Sequence, residues 1–498
     1  MITLEKMRDI TSRQKDHSCI VDKGVHYTWQ QILTQTESRI VFLKSMYNKD
    51  QLRSACYLSK NNADVICWLA AFTTLGIPVN GLDYSLPVDT LTSLIKKINP
   101  DILLVSYSLY SPDELNQLNT TGSTILAIDS LTDPIIKSIG EHHALKIDML
   151  LEGHISPPFR AVSLTSGTSS LPKIALRYQS FDARRFAWFS ERYDFGNDGG
   201  FLLILPLYHA AGNGWARMFM GLGSPIYIVD QDDDDNIIST LSQNNVTASV
   251  MTPNLVNKLA QLADNGGYQF YLRWVLVGGS YFSVKNKHAA MNLFGPVFYE
   301  YYGCTESGVN VLSEPEDMAL YPKSVGRAFD GNEIIVLDKN LHPVKEGVNG
   351  RVAVASYMLM DEYSDGTRPF HIIDGIRYFL MTDHGYLDKQ GRLFLLNRNG
   401  DTDTFSPLYS IEDNIRALPC VSDVAVISVI ENGEANIKCI FSTKQGDQSE
   451  IGNLTNKIIQ KFESSNVINI KAKKVEAIPY SPSGKVRFNE VVRILSAA

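Results

Sequence analysis

Short apolar runs separated by helix-length segments dominate the first 300 residues of the chain. Ala63 to Thr74 has the pattern of a helix, while Gly76 to Asn80 and Ile102 to Val105 are apolar runs typical of strands. This alternation indicates βαβ units and parallel sheets. Four later runs repeat it and predict a second set of buried parallel strands: Phe201 to Pro206, Pro225 to Val229, Ala248 to Met251 and Trp274 to Val277. We therefore predict two doubly wound sheets.

The pattern changes in the last third of the chain. From Val325 to Leu396 short strand-like runs alternate with turn signals such as Asp338-Lys339-Asn340, which suits an antiparallel, barrel-like subdomain. Asn397 to Pro407 is rich in Asn, Gly, Asp and Thr and is the candidate linker. We predict an α/β fold with a large N-terminal domain at 1–398, made of two doubly wound sheets and the barrel-like subdomain. A small, mobile α+β domain is expected at 399–498.

Composition narrows the class of protein. The chain has 498 residues, of which 44% are hydrophobic and 20% charged, as in ordinary globular proteins of about three domains. Its net charge is −8 and its basic residues are scattered, so we expect a small-molecule ligand rather than nucleic acid. No apolar run is long enough for a membrane span and no secretion signal is evident, so we predict a cytoplasmic protein. The six widely separated cysteines imply neither a disulfide framework nor a zinc site.

Residues 165 to 173 read Thr-Ser-Gly-Thr-Ser-Ser-Leu-Pro-Lys, a composition suited to holding a polyphosphate. Gly167 lets a ligand approach the backbone closely, and Lys173 supplies positive charge. The segment follows the strand-like run Phe159 to Leu164, which would place it at the carboxyl end of a strand. Taken alone, the segment is equally compatible with a Ser/Thr-rich surface turn. Its hydroxyl groups belong to Thr165, Ser166, Thr168, Ser169 and Ser170.

A second motif, Tyr299 to Glu306, combines aromatic rings, a tight turn, a hydroxyl and a carboxylate. An aromatic ring can stack on a purine, and one carboxylate is a common protein ligand for Mg²⁺ that also binds phosphate oxygens. The alternative is a buried aromatic strand that ends in a turn. The motif follows Gly278-Gly279-Ser280, a glycine-rich turn after a predicted strand, and this position favours a ligand site.

These two motifs and a third, Pro479 to Arg487, occur in the order and spacing of adenylate-forming enzymes. Over nearly its whole length the chain resembles this superfamily of acyl-CoA synthetases, stand-alone adenylation domains and firefly luciferase. The resemblance implies ATP- and Mg²⁺-dependent adenylation of an acyl or aryl acid, with release of pyrophosphate. It also implies transfer of the acyl group to a thiol, either of CoA or of a separate phosphopantetheinyl carrier protein.

The resemblance also implies roles for individual residues. The loop from Thr165 to Lys173 would bind the β- and γ-phosphates, Thr305 would contact the α-phosphate, and Glu306 would bind Mg²⁺. Lys485 would deliver its ammonium group from the mobile domain, and His209 would lie beside the channel for the acid's carboxylate. The remaining nucleotide-binding residues would be Gly279, Glu300 near the adenine amino group, Tyr302 stacked on adenine, Asp383 at the ribose, and Arg398.

The segment Tyr208 to Asn213 lacks the aspartate with which amino-acid-activating relatives hold the substrate ammonium group. This favours an acyl or aryl acid, for which Trp215, Phe219 and Tyr281 would suit as an apolar lining. Three alternatives stay open: an amino-acid-activating enzyme, an oxidative luciferase-like enzyme, and a catalytically impaired nucleotide-binding relative.

The chain also departs from the family pattern. Ser170 replaces a glycine in the phosphate loop, and Met381-Thr382-Asp383 keeps the aspartate but loses a glycine. Asn397 to Asp401 alters the usual hinge sequence and the hairpin after it, although Gly400 still offers freedom for a domain rotation. In relatives that hairpin lines the thiol tunnel. The altered hairpin therefore concerns thiol transfer more than adenylation.

Overall fold

The computed structural model describes residues 1–47, 52–128, 159–165, 173–195, 199–398, 408–431, 434–443 and 470–496, and the single positions 151 and 458. The first region supplies a small parallel sheet of four strands in the order β4-β3-β5-β6. Its elements are α1 (Leu4–Gln14), β1 (Ser18–Asp22), β2 (Val25–Thr28), α2 (Trp29–Met46), β3 (Ala55–Leu58), α3 (Ala63–Thr74), β4 (Val79–Gly81), α4 (Val88–Ile98), β5 (Ile102–Val105), a 3₁₀ turn (Tyr107–Leu109), α5 (Pro112–Asn119) and β6 (Thr124–Ala127).

The second region contains the parallel half of a large sheet. Its strands lie in the order β13-β12-β11-β9-β10-β1, so β1 from the first region pairs here rather than with β3. The elements are β7 (Ala161–Leu164), β8 (Ile174–Arg177), α6 (Asp182–Tyr193), β9 (Gly200–Leu203), α7 (Ala210–Leu222), β10 (Ile226–Ile228), α8 (Asp234–Gln243), β11 (Val246–Met251), α9 (Pro253–Gly266), β12 (Trp274–Val277), α10 (Val284–Phe294) and β13 (Phe298–Cys304).

The third region continues the same large sheet with antiparallel strands, which follow β13 in the order β14-β15-β21-β20-β17-β16. Strand β19 pairs with β20, and β18 joins the β7–β8 hairpin. The elements are β14 (Gly308–Ser313), α11 (Pro315–Leu320), β15 (Ser324–Ala328), β16 (Glu333–Leu337), β17 (Gly350–Ala355), β18 (Glu362–Tyr363), β19 (Phe370–Ile373), β20 (Ile376–Leu387) and β21 (Arg392–Arg398).

The C-terminal region has a sheet of its own. Its apolar residues alternate between two cores: Val424 lies in the core with Ile411 of the first helix, whereas Ala425 and Ile427 lie in the core with Val491 of the last helix. Both faces of the sheet are thus buried, as expected for a self-contained unit. The elements are α12 (Leu408–Arg416), β22 (Val421–Glu431), β23 (Glu434–Thr443), β24 (Ile470–Lys474) and α13 (Phe488–Ser496).

The predicted α/β class is confirmed, and several details are corrected. Helix Ala63–Thr74 and strand Ile102–Val105 form as predicted, but the strand expected at Gly76 to Asn80 is Val79–Gly81. The barrel-like part is continuous with the second parallel sheet, because β13 pairs with β12 on one side and with β14 on the other. The boundary between 1–398 and 399–498 stays a prediction, since residues 399–407 lie outside the described residues.

Candidate active site

The hydroxyl-rich loop leaves and re-enters the described structure at two paired residues. The Thr165 N–H donates to the Lys173 carbonyl at 2.9 Å, and the Lys173 N–H donates to Thr165 Oγ1 at 3.1 Å. These bonds continue the antiparallel β7–β8 pair, so the loop joins a hairpin rather than a parallel strand and its helix. The expected position at the carboxyl end of a strand is confirmed, since Thr165 directly follows β7, but this strand is antiparallel to its partner. Four predicted phosphate-binding residues lie outside the described residues: Ser166, Gly167, Thr168 and Ser169.

Lys173 and Glu306, predicted for phosphate and Mg²⁺, meet at one tyrosine. The Tyr363 hydroxyl donates to Glu306 Oε1 at 2.9 Å, and Lys173 Nζ lies 4.8 Å from the centroid of the same ring. Burial and the neighbouring Glu306 carboxylate raise the pKa of Tyr363, so it stays a hydrogen-bond donor. Tyr363 was not predicted, because it lies in the two-residue strand β18 and no motif marks it.

A buried arginine supports the turn that carries Thr305 and Glu306. The Arg177 guanidinium donates to the Thr305 carbonyl, to the Glu306 carbonyl at 3.2 Å and to the Met358 carbonyl at 3.1 Å. Arg177 is 5% exposed, and this burial lowers its pKa. Two of these bonds come from one rigid group to the main chain of the turn and fix it, and the third ties the same arginine to Met358. The predicted contact of Thr305 with the α-phosphate stays a prediction.

Two predicted nucleotide-binding residues meet directly. The Tyr302 hydroxyl, from β13, donates to Asp383 Oδ2, from β20, at 2.9 Å. Asp383 is buried, and burial, followed by the Asp383 charge, raises the pKa of Tyr302. Arg398 is the register partner of Asp383 across the β20–β21 pair. The nucleotide contact of the Arg398 side chain stays a prediction.

Glu300 has a partner inside the protein. Its Oε2 lies 2.5 Å from Lys287 Nζ, and both side chains are almost fully buried. Burial raises the pKa of Glu300, while the Lys287 ammonium acts to lower it. Lys287 also donates to the Pro322 carbonyl at 2.8 Å. The pair joins α10 to β13, so Glu300 has a structural contact that the sequence did not predict, and its role at the adenine stays a prediction.

Lys485 reaches the large domain at the ends of two parallel strands. A Cβ atom at Gly279, after β12, would lie 3.5 Å from Lys485 Cε. Gly484 has φ +75°, and a Cβ there would lie 2.0 Å from Oγ1 of Thr252, which follows β11. Glycine at 484 therefore permits both the left-handed turn and the close approach. The structure brings Gly279 and Lys485 together, and their predicted roles at the nucleotide stay predictions.

His209 lies close enough to Lys485 for the lysine charge to act on it. It caps helix α7 by accepting a hydrogen bond at Nδ1 from the Ala211 N–H at 3.3 Å. Burial, followed by the positive charge of Lys485, lowers the pKa of His209 from 6.5 to about 3. The imidazole is therefore neutral at neutral pH. A neutral histidine beside a lysine ammonium can orient an anionic substrate without adding a second positive charge.

The two domains also contact each other away from Lys485. Asp413 of α12 accepts from the Tyr281 hydroxyl at 2.6 Å and from the Val284 N–H at 3.2 Å, the first residue of α10. The Tyr281 ring stacks on Tyr409 with centroids 4.3 Å apart. Tyr281 thus faces the C-terminal domain rather than an acid pocket. No sequence motif predicted this contact, because Asp413 and Tyr281 are far apart in the chain.

The other two residues proposed as an apolar lining are core residues. Trp215 and Phe219 are almost fully buried, and both pack against Trp274 of β12.

In the part of the chain that the structure describes, no helix has the length and apolarity to cross a bilayer.

The chain is similar in sequence to known enzymes. Residues 7–364 match the profile of the AMP-binding enzyme family. The 2-succinylbenzoate–CoA ligase of Lactococcus lactis is 25% identical over 307 residues, which span 60% of this chain and 62% of the relative. The enzyme of the same name from Staphylococcus aureus (strain JH9) is 22% identical over 96% of this chain and 97% of the relative.

Two solved structures share the fold over almost the entire chain. ATP-bound MatB from Rhodopseudomonas palustris aligns with a TM-score of 0.79 at 18% identity and covers 99% of this chain and 98% of its own. o-Succinylbenzoate CoA synthetase (MenE) from Bacillus subtilis, in complex with ATP and a magnesium ion, aligns with a TM-score of 0.74 at 16% identity. That alignment covers 98% of this chain and 99% of the MenE chain.

Proposed function

Because the chain belongs to the AMP-binding enzyme family, we propose that it is an ATP-dependent acid–thiol ligase. In the first half-reaction a carboxylate oxygen of an acyl or aryl acid attacks the α-phosphorus of ATP. The bond from that phosphorus to the bridging oxygen breaks, pyrophosphate leaves, and acyl-AMP is formed. In the second half-reaction a thiol attacks the acyl carbon, a thioester forms, and AMP leaves with the electron pair of the broken bond.

The position of Lys485 against Gly279 is the observation that supports this function best. The first half-reaction brings a carboxylate and a triphosphate together, so positive charge at their junction is needed. Lys485 supplies that charge from the C-terminal domain, at the carboxyl ends of β11 and β12. Ligands of open α/β sheets bind at this edge. His209, neutral beside it, is placed to orient the acid's carboxylate.

The residues predicted to bind the nucleotide and the metal suit ATP and Mg²⁺. Tyr302 and Asp383 join an aromatic ring to a carboxylate, and a carboxylate is the natural acceptor for two vicinal ribose hydroxyls. Glu306 offers a carboxylate steadied by Tyr363, with Lys173 over the same ring. Carboxylate and phosphate oxygens are the ligands that Mg²⁺ prefers. When bound there, Mg²⁺ would neutralise phosphate charge in the transition state.

CoA is the favoured thiol acceptor, because the relatives from L. lactis and S. aureus bear the name CoA ligase. A separate phosphopantetheinyl carrier protein is the alternative. Incubating the protein with ATP, acid and either CoA or a carrier, followed by mass measurement of the thioester, distinguishes the two.

The cytoplasmic location stays a prediction.

Exchange of labelled pyrophosphate into ATP tests the first half-reaction. A panel of aryl, aliphatic and amino acids should give exchange that depends on an added aryl or aliphatic acid and on Mg²⁺. Exchange with amino acids alone would favour the amino-acid-activating alternative. Folded protein that binds ATP but supports no exchange with any acid would favour the catalytically impaired relative and overturn the proposed function.

A further inference from the structure

A buried arginine packs against the helix that begins after His209. Arg185, on helix α6, is 7% exposed. Its guanidinium carbon lies 5.0 Å from the ring centroids of both Phe181 and Phe186 and 5.5 Å from that of Trp215. Burial lowers its pKa only to about 10, so the side chain is a cation at neutral pH. A cation enclosed by aromatic rings costs free energy unless an anion compensates it.

The carboxylate beside Arg185 lies closer to a second arginine. Asp182 Oδ2 lies 2.6 Å from Nη2 of Arg217, whereas Asp182 Oδ1 is 3.3 Å from Nη2 of Arg185. Among the described residues, Nε of Arg185 is buried without a hydrogen-bond partner. The other charged groups that act on Arg185 are Arg177 and Arg217, which are cations. Two guanidinium groups therefore share one carboxylate, and Arg185 has the weaker contact.

Arg185 faces the helix that begins at His209. A Cβ atom at Gly214, on α7, would lie 3.0 Å from Nη2 of Arg185, so glycine leaves the guanidinium room beside this helix. Gly214 is five residues beyond His209. At a rise of 1.5 Å per residue, it lies about 7 Å further along the helix.

Tyr301 is close to the glycine that Lys485 approaches, and Arg185 acts on it electrostatically. A Cβ atom at Gly278 would lie 2.5 Å from the Tyr301 ring, so the ring covers this glycine. The Tyr301 hydroxyl would lie 3.8 Å from a Cβ at Gly279, the residue that Lys485 also approaches. The charge of Arg185 also acts on the Tyr301 hydroxyl. Tyr301 is therefore close to Gly279 and within electrostatic range of Arg185.

We infer that the acid substrate carries a second anionic group, such as a second carboxylate, and that Arg185 binds it. This inference rests on the proposed function. The second anion would supply the charge that Asp182 shares with Arg217, and its distance from Lys485 would set the length of the acid. Arg185 is thus a specificity-determining residue, not a participant in bond formation.

Matched pairs of acids test the inference. Adipate, pimelate and 1,4-phenylenediacetate are each compared with their own monomethyl ester, which keeps one carboxylate and replaces the second with a neutral group. With the unaltered protein, the best diacid should have a kcat/KM for acid-dependent pyrophosphate exchange at least about tenfold above that of its monoester.

Arg185→Met should lower kcat/KM for the preferred diacid by about 10- to 100-fold, mainly through KM, and change that for the monoester by less than about threefold. Arg185→Lys, which keeps the charge, should recover part of the preference. Arg192→Met is the matched control, since this half-exposed arginine on the same helix pairs with Glu314 and not with Asp182, and the change should not alter the ratio of diacid to monoester.

Each contrary result is distinct. Equal use of diacid and monoester by the unaltered protein, or an equal loss for both in Arg185→Met, overturns the inference but leaves the proposed function standing. If no acid supports exchange, both the inference and the proposed function are overturned. If Arg185→Met does not fold, as judged by its melting temperature, Arg185→Lys decides: an unchanged diacid-to-monoester ratio together with equal losses for both acids overturns the inference.

Discussion

Two tyrosine–carboxylate hydrogen bonds in this protein have the same chemistry and different architecture. Tyr302 donates to Asp383 at 2.9 Å between strands of one continuous sheet. Tyr281 donates to Asp413 at 2.6 Å across the contact between the large sheet's region and the C-terminal region. The first pair joins strands of the large sheet. We propose that the second pair, like the Lys485 contact, forms only while the C-terminal region is docked, so changes at the two pairs should have different effects.

The largest effect is expected for Lys485→Ala, which removes positive charge from the docked side of the site. Pyrophosphate exchange should fall by about 10²- to 10³-fold, because the charge acts where two anions meet. ATP affinity should change by less than about threefold, since the proposed nucleotide contacts lie in the large domain. Exchange rates and equilibrium binding of ATP check this. Lys474→Ala, an exposed lysine in β24, is the control. Near-normal exchange in Lys485→Ala would refute the assigned role.

Asp383→Ala should have the next largest effect, and it should appear in binding. Loss of the carboxylate removes the proposed ribose acceptor and leaves the buried Tyr302 hydroxyl without this partner, so ATP affinity should fall by about 10- to 100-fold. Both half-reactions should suffer, because ATP and acyl-AMP share the ribose. Calorimetric binding of ATP measures the effect, with the exposed Asp374→Ala as control. Unchanged ATP affinity would remove Asp383 from the site.

Asp413→Ala should affect one half-reaction only. The variant loses the acceptor for Tyr281 and the carboxylate at the start of α10, so the docked arrangement is weakened by about 1 to 2 kcal/mol. Adenylation should slow by about tenfold, while thioester formation from chemically prepared acyl-AMP should change by less than about twofold. Single-turnover kinetics of each step measure this, with the exposed Glu476→Ala as control. Equal slowing of both steps would contradict a role confined to docking.

The smallest expected effect is on stability at mildly acidic pH. Folding holds His209 neutral because its pKa is lowered to about 3, whereas the unfolded residue binds a proton below about pH 6.5. The unfolded state thus binds more protons between these values, and stability decreases as the pH falls through this window. At pH 6 the cost is about 0.8 kcal/mol relative to pH 8. In urea unfolding, the free energy of unfolding of His209→Gln should decrease by about 0.8 kcal/mol less between pH 8 and pH 6 than that of the unaltered protein. An identical pH dependence in both proteins would contradict the assignment.

The sequence was most informative where burial is complete and local. The runs Ile102–Val105 and Trp274–Val277 form strands with the predicted bounds, because every residue in them is buried. The strand predicted at Gly76 to Asn80 was displaced, since Gly76 to Val79 are only partly buried and the pattern is weaker there. The family resemblance assigned both Tyr302 and Asp383 to the nucleotide, and the structure brings these two residues into contact although they are separated by 81 positions.

The sequence alone therefore determined the fold class, the family and the chemistry of its motifs, because these depend on local composition and on spacing along the chain. Only the tertiary structure decided which distant groups meet. It pairs β1 with β10 rather than β3, brings Tyr363 to Glu306, and seats Asp413 against Tyr281. It also leaves Arg185 with a weak share of one carboxylate. The physical reason is that such contacts follow from how sheets and helices pack, and no short stretch of sequence encodes that packing.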